Sequence, residues 1–302
     1  MSRRALAVLA ALMLLLASAS AGAQGVAPVA LAKKTDVTIP AADVTLAATL
    51  YLPAAAKGKL PAVVLGHGSA PSTRAMMGFW TNTALNSGVA VLVFDKRGTG
   101  ASTGTFEPFD VARSPIQFQH LASDLVSAVR WLAQQPGIDA TRIGLMGGSQ
   151  AGWTMPLAAA HEPLVRFIVA GCGVPLPSGV EAVHERYLNT LRPWPGSRPS
   201  IRQVHEADAQ AMDYKGEAGF DPHPVLEKLT IPVLWIFGLY DHVIPTNLSI
   251  DRIGEYQRAG KKNFDIHVLP FANHNFVNVF TNERYDPSEA ARAWLRRKGF
   301  VE

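Results

Sequence analysis

The hydrophobic pattern of the chain changes near residue 60. Before that point, apolar residues recur at every second position from Val44 to Leu52, which is the period of a half-buried strand. With the short segment 35–40, this strand predicts an antiparallel hairpin at a sheet edge. Beyond residue 60, continuous apolar runs recur at 62–65, 89–94, 143–146, 167–170, 233–237 and 264–269. Runs that are apolar on both faces predict a parallel sheet covered by helices.

Helical patterns separate several of these runs. Between Gln119 and Gln135, apolar residues recur every three or four positions, and Pro136-Gly137 ends the pattern. Three more segments, 150–160, 248–258 and 288–298, also predict helices. Strands that alternate with helices predict a doubly wound α/β fold with right-handed crossovers.

The segment from Val174 to Leu226 does not follow this alternation. It contains no strand-like run and lies between the sixth and seventh predicted strands. We interpret it as a cap of mostly helical pieces inserted into the domain after the sixth strand. Residues 24–302 then form a single domain that includes this cap.

The first 23 residues have the pattern of a secretory signal peptide. Two arginines, Arg3 and Arg4, precede an apolar run from Ala5 to Ala17, and small residues continue to Ala23. The alternative is a membrane anchor, but the run is shorter than the roughly 20 residues that span a bilayer. We therefore expect an exported protein, periplasmic or secreted, with no stable membrane insertion after cleavage.

Composition and charge narrow the classes of protein and partner. The chain of 302 residues is 48% hydrophobic, which is typical of globular proteins. Its formal net charge is only +4, and its basic residues are scattered, so we expect no nucleic-acid partner. The single cysteine, Cys172, excludes an intramolecular disulfide and is predicted to be a small core residue. The oligomeric state cannot be inferred from these features.

The segment Gly147-Gly148-Ser149-Gln150-Ala151-Gly152 lies between a predicted strand and a predicted helix. A nucleophilic serine on a sharp strand-to-helix turn requires this context and small flanking residues. Ala151 stands where the strict pattern has glycine. The helix that follows would direct backbone N–H groups toward the reaction site. The alternative is an ordinary glycine-rich turn.

Two loops could supply an oxyanion hole for this serine. The loop Gly66-His67-Gly68-Ser69 follows the third strand, and Gln150 follows the predicted nucleophile. We expect the backbone N–H groups of Ser69 and Gln150 to bind the oxyanion of a tetrahedral intermediate. His67 is predicted to be a loop-packing residue and not the catalytic base.

A serine nucleophile of this kind requires an acid and then a histidine later in the chain. Asp241 follows the seventh predicted strand and His274 follows the last. Carboxyl ends of strands are where open α/β sheets bind their ligands, so we predict Asp241 as the orienting acid and His274 as the base. The rival base is His242 and the rival acid is Asp95. No metal-binding pair of histidines occurs at the H-x-x-x-H or H-E-x-x-H spacing.

Together these motifs resemble those of the α/β-hydrolase superfamily over residues 35–300. Within it, the chain is similar to bacterial serine esterases grouped near dienelactone hydrolases and prolyl-oligopeptidase-like catalytic domains. The resemblance implies an eight-stranded, mostly parallel sheet with helices on both faces and a hydrolase that needs no cofactor. The segments that carry it are 66–68, the Asp-x-Arg-Gly-x-Gly-x-Ser turn at 95–102, 147–152, 238–245 and 273–276.

One fold carries many chemistries, so the substrate is a separate question. The complete Ser-His-Asp set favours a serine hydrolase acting on a small-molecule carboxylic ester. The enzymatic alternatives are a thioesterase or acyltransferase, and a peptidase or amidase. The alternative that is not an enzyme is a binding protein on an inactive hydrolase fold. Trp153, Tyr187 and Trp194 could line a pocket for a small or medium acyl group, or they could pack the cap onto the sheet.

Overall fold

The computed structural model describes residues 33–53, 58–191 and 199–302. The predicted signal peptide and Trp194 therefore lie outside the described residues. Eight strands form one sheet: β1 (Lys33–Pro40), β2 (Thr45–Leu52), β3 (Leu60–Gly66), β4 (Ala90–Phe94), β5 (Ile138–Gly148), β6 (Val165–Gly171), β7 (Val233–Gly238) and β8 (Phe264–Leu269).

The strand order across the sheet is β1-β2-β4-β3-β5-β6-β7-β8. β1 pairs with β2 and β2 pairs with β4 in antiparallel register, whereas all later pairs are parallel. The predicted edge hairpin and the mostly parallel eight-stranded sheet are thus confirmed. The carboxyl ends of β3, β5, β6, β7 and β8 consequently meet at one edge of the sheet.

Helices connect the strands and cover the sheet. They are α1 (Gly78–Asn86), α2 (Ser114–Ala133), α3 (Ala151–His161), α4 (Ser178–Thr190), α5 (Ile201–Met212), α6 (His223–Lys228), α7 (Thr246–Arg258) and α8 (Ser288–Arg297). α2 packs against α3 on one face of the sheet, and α1 packs against α8 on the other. Every residue of β4 and β7 is buried between these layers.

Three features of the fold differ from the hydrophobic pattern. α2 begins at Ser114, five residues before the predicted start, because Pro115 fits the first turn of a helix. β5 begins at Ile138, where it pairs with Leu60 before the apolar run starts. α1, which follows a 3₁₀ turn at Arg74–Met77, was not predicted, since its apolar residues form no regular stripe.

The segment between β6 and β7 contains α4, α5 and α6, in agreement with a mostly helical cap. α4 and α5 pack through a small apolar cluster of Leu188, Val204 and Ala207, which is separate from the main core. His184 of α4 contacts the backbone carbonyl oxygen of Val243 at 3.1 Å through Nδ1. Among the described residues, no helix combines the length and hydropathy needed to cross a bilayer.

Candidate active site

Ser149 occupies a strained turn between β5 and α3. Its φ angle is +59°, in the left-handed region that non-glycine residues seldom adopt. The Ser149 N–H donates a hydrogen bond to the Gly171 carbonyl oxygen at 3.0 Å, so the end of β6 holds the turn in place. Strain that neighbouring strands maintain in this way is typical of a nucleophile elbow.

Small residues around Ser149 are required by close backbone approaches. A Cβ atom on Gly147 would lie 2.4 Å from the Gly66 carbonyl oxygen, and one on Gly152 would lie 2.4 Å from Gly173 Cα. At Ala151 there is space for one methyl group, because it faces Gly66 and Gly147, which have no side chains. The departure from the strict glycine pattern is therefore accommodated without a change in the turn.

Asp241 and His274 are joined by a hydrogen bond, although 33 positions separate them in the sequence. Nδ1 of His274 lies 2.8 Å from Oδ2 of Asp241, and the Asp241 side chain is fully buried. The other carboxylate oxygen accepts the backbone N–H groups of Val243 at 2.8 Å and Ile244 at 3.1 Å. These contacts fix the carboxylate, which in turn sets the orientation and tautomer of the imidazole.

The loop that carries His274 packs against the serine turn through Phe276. A Cβ atom on Gly171 would lie 2.9 Å from Cζ of Phe276, and Gly171 is the residue that binds the Ser149 N–H. Within the described residues, the Ser149 hydroxyl forms no hydrogen bond. Serine–histidine contacts are often long without bound substrate and tighten in the reacting complex.

The Asp241–His274 pair shifts the pKa of both groups. Burial disfavours the charged form of His274 and by itself would lower the pKa of the ring. The negative charge and hydrogen bond of Asp241, together with the charge of Glu185, outweigh the effect of burial. The pKa of His274 is therefore raised above 6.5. Burial acts in the opposite sense on Asp241, yet His274 and two backbone N–H groups lower the pKa of Asp241 below 3.8. The carboxylate therefore stays ionised and stabilises an imidazolium.

The loop after β3 lies close to Ser149, as the oxyanion-hole prediction requires. A Cβ atom on Gly68 would lie 3.8 Å from the Ser149 Cβ. Among the described residues, neither the Ser69 N–H nor the Gln150 N–H donates a hydrogen bond. Both groups can therefore bind a developing negative charge, and Gln150 stands at the N-terminus of α3, where the helix dipole is positive.

The structure gives partners to His67, which was predicted to pack its loop, and to Asp95, the rival acid. Nε2 of His67 lies 2.8 Å from the Phe94 carbonyl oxygen, and burial with the nearby charge of Lys96 lowers the pKa of His67 to about 4. Asp95 accepts the backbone N–H groups of Arg74 at 2.7 Å and Ala101 at 2.9 Å. Both side chains therefore organise the turns that follow β3 and β4.

Cys172 is buried, as predicted, but the sequence did not predict that it and Glu181 lie beside the acid. The Cys172 Sγ atom and ligand atoms of Asp241 and His274 lie within 4.8 Å of one another. Burial raises the pKa of the Cys172 thiol well above its ordinary value, and Asp241 adds to the rise, so the thiolate that would bind a metal is disfavoured. Burial likewise raises the pKa of Glu181, with contributions from Glu185 and Asp241. Only the spacing of Glu181 and Glu185, four residues apart on α4, could have indicated that they share a face.

Of the three aromatic residues considered for the pocket, Trp153 has contacts that agree with the alternative, packing of the cap onto the sheet. Its side chain is 3% exposed, its indole N–H donates to the Leu176 carbonyl oxygen at 2.8 Å, and its ring stacks on Phe118. Trp153 thus packs the start of the cap onto the core, and its buried indole N–H has the hydrogen-bond partner that it needs. Tyr187 is half-buried and packs against the small cap cluster.

Two family models match the two halves of the chain, and each match extends into the cap. The model for the X-Pro dipeptidyl-peptidase (S15) family matches residues 43–181, which contain Ser149. The model for the dienelactone hydrolase family matches residues 200–302, which contain Asp241 and His274. Both matches are to hydrolases, and together they cover strands β2 to β8 and the candidate site.

Individual proteins extend this similarity. A thiohydrolase of Aspergillus aculeatus is 35% identical over 112 residues, or 37% of this chain and 33% of that protein. The matched segments span between 33% and 64% of the length of the curated relatives.

Solved structures match almost the whole fold. An esterase of Pyrococcus furiosus is 20% identical with a TM-score of 0.63, covering 88% of this chain and 91% of that one. The carboxylesterase EstE1 from a metagenomic library is 18% identical with a TM-score of 0.61, covering 92% of each chain. The strand order, the turn at Ser149 and both family models agree with these structures: the chain belongs to the α/β-hydrolase superfamily.

Proposed function

We propose that the protein is a serine hydrolase that cleaves a carboxylic ester through an acyl-enzyme intermediate. The observation that carries this proposal is the 2.8 Å contact between His274 and buried Asp241, at the same sheet edge as the strained Ser149. An imidazole whose Nδ1–H donates to a carboxylate presents Nε2 as the proton acceptor. The arrangement thus supplies a base and a serine on a strained turn, which are the groups that the reaction requires.

The reaction then proceeds in two halves. Ser149 Oγ attacks the ester carbonyl carbon while its proton passes to His274 Nε2, and the N–H groups of Ser69 and Gln150 bind the oxyanion. Collapse of the tetrahedral intermediate breaks the C–O bond, and the leaving alcohol takes the proton from His274. A water molecule attacks the acyl-enzyme by the same route and releases the acid and free Ser149.

Ester, thioester and peptide cleavage would use the same groups, so the bond cleaved is chosen from the comparisons. Two solved structures of the same fold are esterases, which supports a carboxylic ester. The thiohydrolase similarity supports a thioester as the second candidate, and the dipeptidyl-peptidase model supports a peptide bond as the third. We expect a small or medium acyl group.

Export is part of the same proposal. Its support is the order of charged, apolar and small residues in positions 1–23. Expression of the full-length chain in a Gram-negative host, followed by cell fractionation and N-terminal sequencing, tests it. A protein beginning at Gln24 in the periplasm or medium is expected, whereas a cytosolic protein beginning near Met1 would contradict it.

The catalytic proposal is tested with p-nitrophenyl esters from acetate to palmitate. We expect hydrolysis that decreases on the order of 10⁶-fold in Ser149→Ala, since removal of a triad nucleophile has this effect. Ser69→Ala is the matched control, because it removes a hydroxyl and keeps the backbone N–H on which the mechanism depends. Equal activity of wild type and Ser149→Ala would refute Ser149 as the nucleophile.

The same enzyme preparations distinguish the three bond types. Acyl thioesters and X-Pro p-nitroanilides are measured beside the esters, and labelling by a fluorophosphonate reports a reactive serine independently of substrate. Labelling without ester hydrolysis would exclude the carboxylesterase and retain the serine mechanism. No labelling of the folded protein would refute the serine mechanism itself.

A further inference from the structure

Lys96 is a buried cation that the proposed mechanism does not yet use. It follows β4, and only 3% of its surface is exposed. Its ammonium group lies 5.3 Å from the centre of the Phe106 ring. Within the described part of the chain, Lys96 forms no ion pair. A buried charge without a carboxylate partner is unfavourable unless hydrogen bonds compensate for its lost hydration.

The compensating hydrogen bonds go to the two segments of the predicted oxyanion hole. Nζ of Lys96 donates to the carbonyl oxygen of Gly68 at 2.8 Å and to Oε1 of Gln150 at 2.9 Å. The carbonyl oxygens of Ser69 and Ala70 lie at 3.3 and 3.5 Å. One ammonium group therefore joins the loop after β3 to the residue that follows Ser149.

The contact with Gly68 determines where the Ser69 N–H points. The Gly68 carbonyl and the Ser69 N–H belong to one planar, trans peptide group, in which the two bonds point in opposite directions. A carbonyl held by Lys96 therefore directs the Ser69 N–H away from Lys96. Hydrogen bonding at the carbonyl oxygen also polarises the peptide group and strengthens its N–H as a donor.

On the basis of the serine hydrolase mechanism proposed above, we propose that Lys96 is the positioning residue of the oxyanion hole. It fixes the Ser69 and Gln150 segments relative to each other, and its positive charge favours the oxyanion of the tetrahedral intermediate. Lys96 acts through these peptide groups and does not touch the substrate. It therefore stabilises the transition state more than the bound substrate.

The protonation state of Lys96 provides a distinctive signature. Burial lowers the pKa of Lys96 to about 8, so the charge is present at neutral pH and is lost as the pH rises through that value. The charged or titratable groups around it are Asp95 and Arg97 on the same turn, His67 after β3, Glu107 in the loop before α2, and His120 in α2.

The test compares Lys96→Met, Lys96→Arg and a matched control, Lys261→Met. Lys261 also donates to a backbone carbonyl oxygen, that of Leu229 at 2.8 Å, and also contacts an aromatic ring, that of Phe264. We expect Lys96→Met to lower kcat on the order of 10²-fold with KM unchanged, which is the size of a lost oxyanion-hole donor. Lys261→Met is expected to keep the wild-type kcat.

The Lys96→Arg variant distinguishes a role of the positive charge from a role in packing alone. Wild-type kcat should fall as the pH rises above about 8, whereas Lys96→Arg should recover part of the activity without this fall, since arginine stays charged. If Lys96 had a purely structural role, the variants would be less stable than the wild type, and kcat of every protein would fall over the same alkaline pH range. That result would overturn the proposal, as would an unchanged kcat in folded Lys96→Met.

Two further measurements keep the outcomes distinct. If Lys96→Met does not fold, Gln150→Met removes one Lys96 acceptor and keeps the Gln150 N–H; a lower kcat with unchanged KM supports the proposal, and an unchanged kcat refutes it. The rate of Ser149 phosphonylation by a fluorophosphonate is measured for every variant. A wild type that is not labelled refutes the serine mechanism and this inference together, whereas equal labelling of wild type and Lys96→Met refutes only the inference.

Discussion

The sheet edge at Ser149 and the cap beside it are held in different ways. At the sheet edge backbone meets backbone: a Cβ on Gly152 would lie 2.4 Å from Gly173 Cα, and Ser149 keeps a positive φ angle. In the cap, α4 and α5 pack through the side chains of a small apolar cluster, and the His184 side chain contacts the Val243 carbonyl oxygen.

Because of this difference, we expect the cap to tolerate substitutions better than the sheet edge does. Backbone contacts leave no side chain that can move aside, so a change at the sheet edge affects the rate or the stability directly. Side-chain contacts in the cap can repack, so a change there adjusts the properties of the site. The following substitutions examine this contrast, starting with the largest expected effect.

Asp241→Asn should affect catalysis most. The amide cannot hold the His274 tautomer or stabilise its charged form, so we expect kcat to fall on the order of 10⁴-fold with little loss of folding. Steady-state kinetics on p-nitrophenyl butyrate measure it. Asp95→Asn is the control, because Asp95 binds the turn at Arg74 and Ala101 and should lower the melting temperature more than kcat. Equal losses of kcat in both folded variants would contradict the assigned roles.

Gly152→Ala should show that the backbone packing at the sheet edge is rigid. The new methyl group would overlap Gly173 and Val174 backbone atoms, and we expect the free energy of unfolding to decrease by about 1–3 kcal/mol. Urea unfolding measures the change. Gly78→Ala is the control, since its Cβ would contact nothing within 4 Å, and it should stabilise the protein by about 0.4–1 kcal/mol. A Gly152→Ala protein as stable as wild type would contradict this account of the contact.

Glu185→Gln should show that the cap adjusts the site. His274 acts as a base only when neutral, so kcat/KM of the wild type should fall as the pH decreases through the raised pKa of His274, above 6.5. Because Glu185 attraction contributes to this rise, its removal should move the acid limb to lower pH. The pH profile of Glu217→Gln, which alters an exposed carboxylate of the cap that does not contribute to the pKa shift of His274, should match the wild type. Identical profiles for all three proteins would exclude an influence of the cap on the base.

Arg202→Ala should have the smallest effect. Arg202 Nε lies 2.9 Å from Glu206 Oε1 in α5, with side chains that are 87% and 42% exposed. Exposed pairs of this kind contribute about 0.3–0.5 kcal/mol, and kcat should not change. Urea unfolding and the same ester assay measure both quantities. A loss of kcat would mean that α5 is coupled to the sheet edge more tightly than its contacts indicate.

The sequence was sufficient to predict the sheet and the chemical groups at its edge. Asp241 and His274 each follow an apolar run, and the carboxyl ends of parallel strands meet at one edge of the sheet. The sequence therefore predicts that these two side chains lie close together, although 33 positions separate them. The turn at Ser149 could be predicted because small residues flank a serine between a predicted strand and a predicted helix. These inferences needed only local patterns and the topology that they imply.

Contacts that depend on tertiary neighbours could not be predicted. A Cβ atom on Gly148 would lie 2.7 Å from the ring of Trp80 in α1, a helix that was not predicted. The reason for a glycine at position 148 is therefore visible only in the folded structure. Trp153 was predicted either to line a pocket or to pack the cap, because hydrophobicity alone does not distinguish a pocket wall from a core residue. From the sequence alone, a lysine such as Lys96 is expected to be a surface charge. Its burial follows from the contact between the end of β4 and the loop after β3, which is known only from the fold.

The point at which the cap enters the fold has an evolutionary consequence. The chain leaves the sheet after β6 and returns at β7, the strand that pairs with β6, so cap length does not affect strand order. Doubling the length of such a connection costs only about 0.6 kcal/mol of loop-closure entropy. Descendants of this chain can therefore exchange or extend their caps while inheriting an unaltered sheet edge.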